Sequence, residues 1–220
     1  MSTTVFGQVD NYLSKLYSLE DEILLQTEAS IRENGMPEHS VSAVQGQFLS
    51  LLVQMCQAKR IIEVGTLGGY STIWLGRALR EKGKLTSIEV AASYAAVARR
   101  NIELAGLQDT VEIICGDALE VLHQMDLKGE VVDLFFMDAD KPNYVAYFEW
   151  ALAHSRPGSL ILADNVIRDG QVLDADSPDE KVKGVRAYLD MLAREERATH
   201  SVLQQVGIKA YDGLAISMVK

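Results

Sequence analysis

From Arg60 to Asp164 the sequence alternates short β-rich runs with helical ones, and this alternation constrains the fold more than any other feature. The strand candidates are Ile61–Gly65, Leu85–Val90, Val111–Gly116, Val131–Asp138 and Ser159–Asp164. Helical patterns lie between them at Ser71–Lys82, Ser93–Ala105, Ala118–Met125 and Asn143–His154. Strands joined by helices predict parallel crossovers and a doubly wound α/β sheet. The run Val131-Val-Asp-Leu-Phe-Phe-Met is almost wholly apolar, as expected of a strand covered on both faces.

The ends of the chain depart from this pattern. After a helix around Lys181–Glu195 come two strands, Thr199–Gln205 and Leu214–Val219, separated only by Gly207–Gly213. That gap is too short for a helical crossover, so the two strands should pair antiparallel. At the other end Tyr12, Leu13, Leu16, Tyr17, Ile23, Leu24, Thr27 and Ile31 recur at helical spacing. Ser18 and Asp21 read as a helix-start pair dividing this stretch. Asn34-Gly-Met-Pro-Glu-His39 breaks it, and a further helix follows with Val44, Phe48, Leu51, Leu52 and Met55 on one face. The expected organisation is a single domain over 1–220, with N-terminal helices at 1–57 and an α/β core at 58–220.

Twenty-one Lys and Arg against 31 Asp and Glu give a formal charge of -10, so nucleic acid and anionic membrane are not expected partners. The opening Met1-Ser-Thr-Thr-Val carries no secretory pattern, and no apolar run approaches the roughly 20 residues that span a bilayer. A cytoplasmic location is therefore expected. Cys56 and Cys115 sit in apolar stretches without metal-type spacing, and are read as buried free thiols.

In open α/β sheets, ligands bind where the carboxyl ends of the strands meet the following loops. The first strand runs into Gly65-Thr-Leu-Gly68-Gly69-Tyr-Ser71, a glycine-rich turn that lets a ligand approach the backbone. Leu67 stands where G-x-G-x-x-G would have its second glycine, which argues against dinucleotide binding in that style. The second strand ends in Glu89, placed to accept hydrogen bonds from ribose hydroxyls, or simply solvated. The third runs into Asp117, which could cap the next helix, border an adenine pocket, or both.

The fourth strand ends Met137-Asp138-Ala139-Asp140-Lys141-Pro142 and the fifth ends Ala163-Asp164-Asn165. Strands one, four and five would be neighbours, so Asp138, Asp164 and Asn165 can converge on one crevice. Two carboxylates and an amide oxygen are hard ligands suited to Mg²⁺, or to Mn²⁺ or Ca²⁺, and the absence of His and Cys disfavours zinc. Singly, each of these residues also suits an ordinary strand end or turn.

The runs Ile61-Ile-Glu-Val-Gly-Thr-Leu-Gly-Gly-Tyr-Ser-Thr, Phe136-Met-Asp-Ala-Asp-Lys-Pro-Asn-Tyr and Ile161-Leu-Ala-Asp-Asn-Val resemble the cation-dependent O-methyltransferases. That family includes catechol and caffeoyl-coenzyme A O-methyltransferases and bacterial relatives. The resemblance covers the chain from about Pro37 onward. It implies a Rossmann-like methyltransferase fold, with a seven-stranded, mostly parallel sheet and an antiparallel last strand. It further implies that Glu63, Gly65, Ser71, Glu89, Ala118, Asp138, Asp140 and the backbone at Val41 border S-adenosylmethionine. Thr66, Val90 and Asp117, beside them on the same strand ends, complete that expected set. Asp138, Asp164 and Asn165 match the family's metal ligands and Lys141 its catalytic base, so Lys141 and Asp138 are the expected catalytic pair.

The activity so implied is methylation of a hydroxyl on a small catechol-like aromatic. A non-catalytic protein that binds S-adenosylmethionine, and a methyltransferase acting on a non-catechol acceptor, are the alternatives. Arg168 and Asp169, in the stretch after the metal pair, either meet a polar substituent of the acceptor or pair with each other at the surface. The apolar face of the N-terminal helices has no obvious intramolecular partner, which predicts a homodimer.

Overall fold

The computed structural model describes residues 5–125, 127 and 129–220. Three helices come first, α1 (Val5–Leu16), α2 (Glu22–Glu33) and α3 (Ala43–Met55). The alternating region then gives β1 (Arg60–Val64), α4 (Tyr70–Ala78), β2 (Lys84–Glu89), α5 (Ala92–Leu104), β3 (Val111–Cys115) and α6 (Ala118–Gln124). It continues through β4 (Val132–Met137), α7 (Tyr144–Ala153), β5 (Ser155–Asp164) and α8 (Glu180–Leu192). The chain closes with β6 (Ala198–Gly207) and β7 (Ala210–Val219). The reading of Met1–Thr4 lies outside the described residues.

All seven strands form one sheet in the order β3-β2-β1-β4-β5-β7-β6. The first five are parallel, and β7 runs antiparallel to both β5 and β6. Side-chain alternation sorts the strands onto two faces. Ile61, Leu134, Phe136, Leu160 and Leu162 join one apolar cluster with α2 to α5. Ile62, Phe135, Met137, Ile161 and Ala163 join another with α6, α7 and α8. Every residue of β4 is buried, as a central strand between two helical layers requires. Among the described residues no helix is long and apolar enough to cross a membrane.

Several expected boundaries shift. The hairpin is tighter than expected, because β6 and β7 extend toward each other until only Ile208 and Lys209 lie between them. The helix after the glycine turn ends at Ala78 rather than Lys82, and Lys82 takes a left-handed φ of 63° ahead of Gly83. Asp21 alone caps α2, its carboxylate accepting from the Leu24 N–H, while Ser18 sits in the preceding turn at φ 48°.

The apolar face expected for the third helix holds only in part: Leu52 is buried and Phe48 packs against the core. Leu51 and Met55 are exposed, and the buried residues of α3 are Gly46, Leu49, Ser50, Leu52 and Val53. Small residues win that face because the Trp74 ring lies directly against Gly46, and the Ser50 hydroxyl donates to the Trp74 carbonyl. The expectation of two buried thiols also fails. Cys115 ends the edge strand β3, whose outer positions face solvent, and is exposed; Cys56 is half-buried. Both are free, and burial pushes the Cys56 thiol up to about 11, which keeps it un-ionised.

Candidate active site

The carboxyl ends of β1, β2, β4 and β5 open into a cavity of about 720 Å³. Val41, Gly65, Thr66, Ser71, Glu89, Val90, Asp117, Ala118, Asp138, Asp140, Lys141, Asp164 and Asn165 all line it. Glu63 alone of the expected set does not. It is fully buried beneath the floor.

On the β1–β2 side the loop after β1 is built for close approach. Gly65 takes φ 96°, and a side chain there would collide with the Asp138 carbonyl. Leu67, at the position that lacks a glycine, nonetheless adopts the left-handed φ of 50°. Such a conformation strains a bulky residue, and Glu89 compensates by holding the turn. Its carboxylate accepts from the N–H groups of Leu67 (2.8 Å), Ala91 (2.9 Å) and Thr66 (3.3 Å). Glu89 is therefore first the organiser of the turn, with lone-pair capacity left toward the cavity.

Glu63 accepts from Ser71 (2.6 Å), Thr72 (2.5 Å) and Ser87 (2.6 Å). Burial pushes its carboxyl up to about 7, against the lowering effect of those three hydroxyls. Its task is to fix Ser71, which does face the cavity. Asp117 caps α6 through the Glu120 N–H (3.0 Å) and also lines the cavity.

On the β4–β5 side the groups converge around one amine. Lys141 lies in a single 3₁₀ turn, Lys141–Asn143, and is only 5% exposed. Its Nζ donates to the Tyr144 hydroxyl (2.6 Å), Asn165 Oδ1 (3.0 Å) and Asp138 Oδ1 (3.1 Å), which uses all three ammonium hydrogens. Asp164 accepts from the Gln45 amide (2.8 Å) and from the N–H of Asn165 (2.9 Å). Burial first, and then the negative Asp138, push the Asp164 carboxyl up, with Lys141 opposing. Asn165 takes φ 57°, a conformation asparagine tolerates better than most residues.

This side is short of positive charge: two carboxylates share one lysine. Among the described residues no three His, Cys, Asp or Glu side chains gather as a cation cage. The available donors are two carboxylates and an amide oxygen, with a buried lysine among them. Such an all-oxygen set fits a hard divalent ion that keeps open positions.

Three contributors escaped the sequence reading. Tyr144 receives the lysine and donates toward the Met137 (3.1 Å) and Asp164 (2.9 Å) carbonyls, tying β4 to β5. Tyr147 donates to Asp140 Oδ1 (2.6 Å). Both stand at helical spacing from the Asp140–Lys141 corner, a signal that was available. Gln45 reaches Asp164 from α3, 119 residues away in the chain, and nothing local announces it. Pressed on the outside of the 3₁₀ turn is Gly184 of α8, where any side chain would collide with the Lys141 carbonyl. Arg168 and Asp169 form no ion pair among the described residues, so the surface-pair reading of them does not hold.

The family model described as O-methyltransferase matches residues 14–217. A catechol O-methyltransferase of Niastella koreensis is 50% identical over all of both chains. One of Mycobacterium tuberculosis is 41% identical, over 96% of this chain and 95% of its own. The crystal structure of the O-methyltransferase TomG from Streptomyces achromogenes, in complex with SAM, superposes with a TM-score of 0.96 at 43% identity. It covers 100% of this chain and 99% of that one.

Proposed function

The chain belongs to the O-methyltransferase family, and on that premise we propose that it methylates a hydroxyl of a catechol-like small aromatic, with a divalent cation held by Asp138, Asp164 and Asn165. The single observation that carries this reading is the under-neutralised pair Asp138 and Asp164 with Lys141 between Asp138 and Asn165. S-adenosylmethionine, when bound over the β1–β2 side, supplies an electrophilic methyl group on a sulfonium. The cation, when bound, would lower the acceptor hydroxyl from its usual pKa of about 10.

The chain's own groups do the rest. Acting as a free amine, with one of its three hydrogens already lost to solvent, Lys141 Nζ takes the hydroxyl proton, and the resulting ammonium is again held by Asp138 and the Tyr144 hydroxyl. The acceptor oxygen then forms its bond to the methyl carbon as the carbon–sulfur bond breaks. That electron pair stays on sulfur, which leaves neutral, so no acid is needed. Gly65, Glu89 and Ser71 position one reactant and Asp164 and Asn165 the other across one rigid sheet edge. Proximity of this kind is worth up to about 7–11 kcal/mol in favourable cases.

Catechol, S-adenosylmethionine and Mg²⁺ incubated with the protein should give a mono-methyl ether by mass spectrometry, and EDTA should abolish it. Turnover that survives complete chelation defeats the cation reading. A non-catalytic cofactor binder would have no use for a buried lysine between a carboxylate and an amide.

A homodimer is part of this proposal. Val5, Phe6, Val9, Tyr12 and Leu16 form one exposed stripe along α1, spaced so that a second copy would cover it. Sedimentation should give twice the chain mass, and a monomer at micromolar concentration would refute it.

A further inference from the structure

We propose that the acceptor carries a carboxylate on its ring, received by Arg168 with help from Lys181 and Lys209. This rests on the methyl-transfer reading above and narrows its substrate class. All three cations line the same cavity as Lys141 and Asn165, and none of their side chains has a hydrogen-bond or ion-pair partner among the described residues. The Nε of Arg168 is buried without a partner, which costs free energy unless a ligand supplies an acceptor.

The backbone holds Arg168 where it is at the expense of local strain. Asn165, Arg168, Asp169 and Gly170 all adopt left-handed φ, of 57°, 57°, 53° and 82°. Non-glycine residues rarely do this, and strain of this kind survives only where surroundings over-determine it. Asp212 does so. Its Oδ1 accepts from the N–H groups of Ile167 (2.8 Å), Arg168 (2.9 Å) and Gly213 (2.9 Å). One oxygen of Asp212 is thereby committed to backbone, and Arg168 lines the cavity with no side-chain partner among the described residues.

The position suits recognition of the acceptor. Arg168 follows Asn165 by three residues in the loop that leaves β5, while Lys209 comes from the β6–β7 turn and Lys181 from the first turn of α8. Three elements thus bring positive charge without a side-chain partner to one cavity of a protein whose formal charge is -10. Of the carboxylates on the lining, Asp212 has one oxygen spent on the backbone of this loop, Asp138 and Asp164 stand at the lysine, Asp140 at Tyr147 and Asn143, Glu89 and Asp117 at the other strand ends, and Glu38 beside Arg32. A guanidinium receives a carboxylate through paired N–H donors, which a neutral ester cannot match.

The test compares kcat/KM for catechol, 3,4-dihydroxybenzoate and its methyl ester, each with S-adenosylmethionine and Mg²⁺. The acid should exceed the ester tenfold or more, and Arg168→Gln should reduce that preference at least tenfold. Equal use of acid and ester by the unaltered protein overturns the proposal, as does an unchanged preference in Arg168→Gln. Methylation of catechol with rejection of the acid overturns it too, while leaving the methyl-transfer reading intact. If none of the three is methylated, both fall.

Discussion

The two halves of the cavity differ in how far the chain has satisfied its own charges. Under β1 and β2, Glu63 and Glu89 each accept three hydrogen bonds from hydroxyls or backbone N–H groups. At the ends of β4 and β5, Asp138 and Asp164 share a single lysine. The first half is a finished surface that a neutral or partly charged ligand can lie on. The second has an electrostatic deficit that a cation would relieve. The lesson is that buried carboxylates in one site must be sorted by what already binds them, since residue type alone does not separate the two kinds.

The contrast can be broken most severely at the amine. Lys141→Met should lower kcat by about 10²–10⁴-fold, the usual worth of a positioned base, while binding of S-adenosylhomocysteine by calorimetry stays near its original strength. Comparable losses of both would mean that the halves are not separable. Next comes Asp164→Ala, expected to cost on the order of a hundredfold or more in turnover with the same cofactor affinity. Unchanged turnover would remove the case for a cation.

Smaller effects sharpen the boundary. Gln45→Leu deprives Asp164 of its amide donor and should weaken the apparent Mg²⁺ affinity by about 10–100-fold, read from a Mg²⁺ titration of activity. The finished half should show itself in stability rather than turnover. The Glu63 carboxyl is raised from 4.5 to about 7, so the folded state binds more protons than the unfolded state between those values. Its contribution is present below pH 4.5 and is lost as pH rises through 7. The Tm of metal-free Glu63→Gln, relative to the unaltered protein, should therefore climb across that window. A constant difference would mean that Glu63 is ionised throughout.

Much of this arrangement could be read from the chain because strand ends carry local signatures. Gly65, Glu89, Asp138, Asp164 and Asn165 each sit at the close of a β-rich run, and strand order then brings them together. The mixed ending was legible too, since a short gap between two strands leaves only an antiparallel pairing. What could not be read depended on contacts between distant segments. The α3 stripe of Val44, Phe48, Leu51, Leu52 and Met55 is apolar and regular, yet a tryptophan from α4 selects the face carrying Gly46 and Ser50. Glu63 looks like any other strand-end acid until three hydroxyls from α4 and β2 are seen around it. Leu67 in a left-handed turn is likewise unreadable, because the compensation comes from Glu89, 22 residues on.

Gly184 makes α8 a depth stop for the amine. The helix rests its bare backbone on the peptide that carries Lys141, and so sets how far the lysine projects toward its oxygens. Even one methyl group at that point would act as a shim, lifting the whole 141–143 turn off its seat. The lesion would silence the enzyme from its outer layer with every side chain of the cavity chemically intact. Anyone exchanging the 165–179 segment should accordingly treat the helix behind it as fixed.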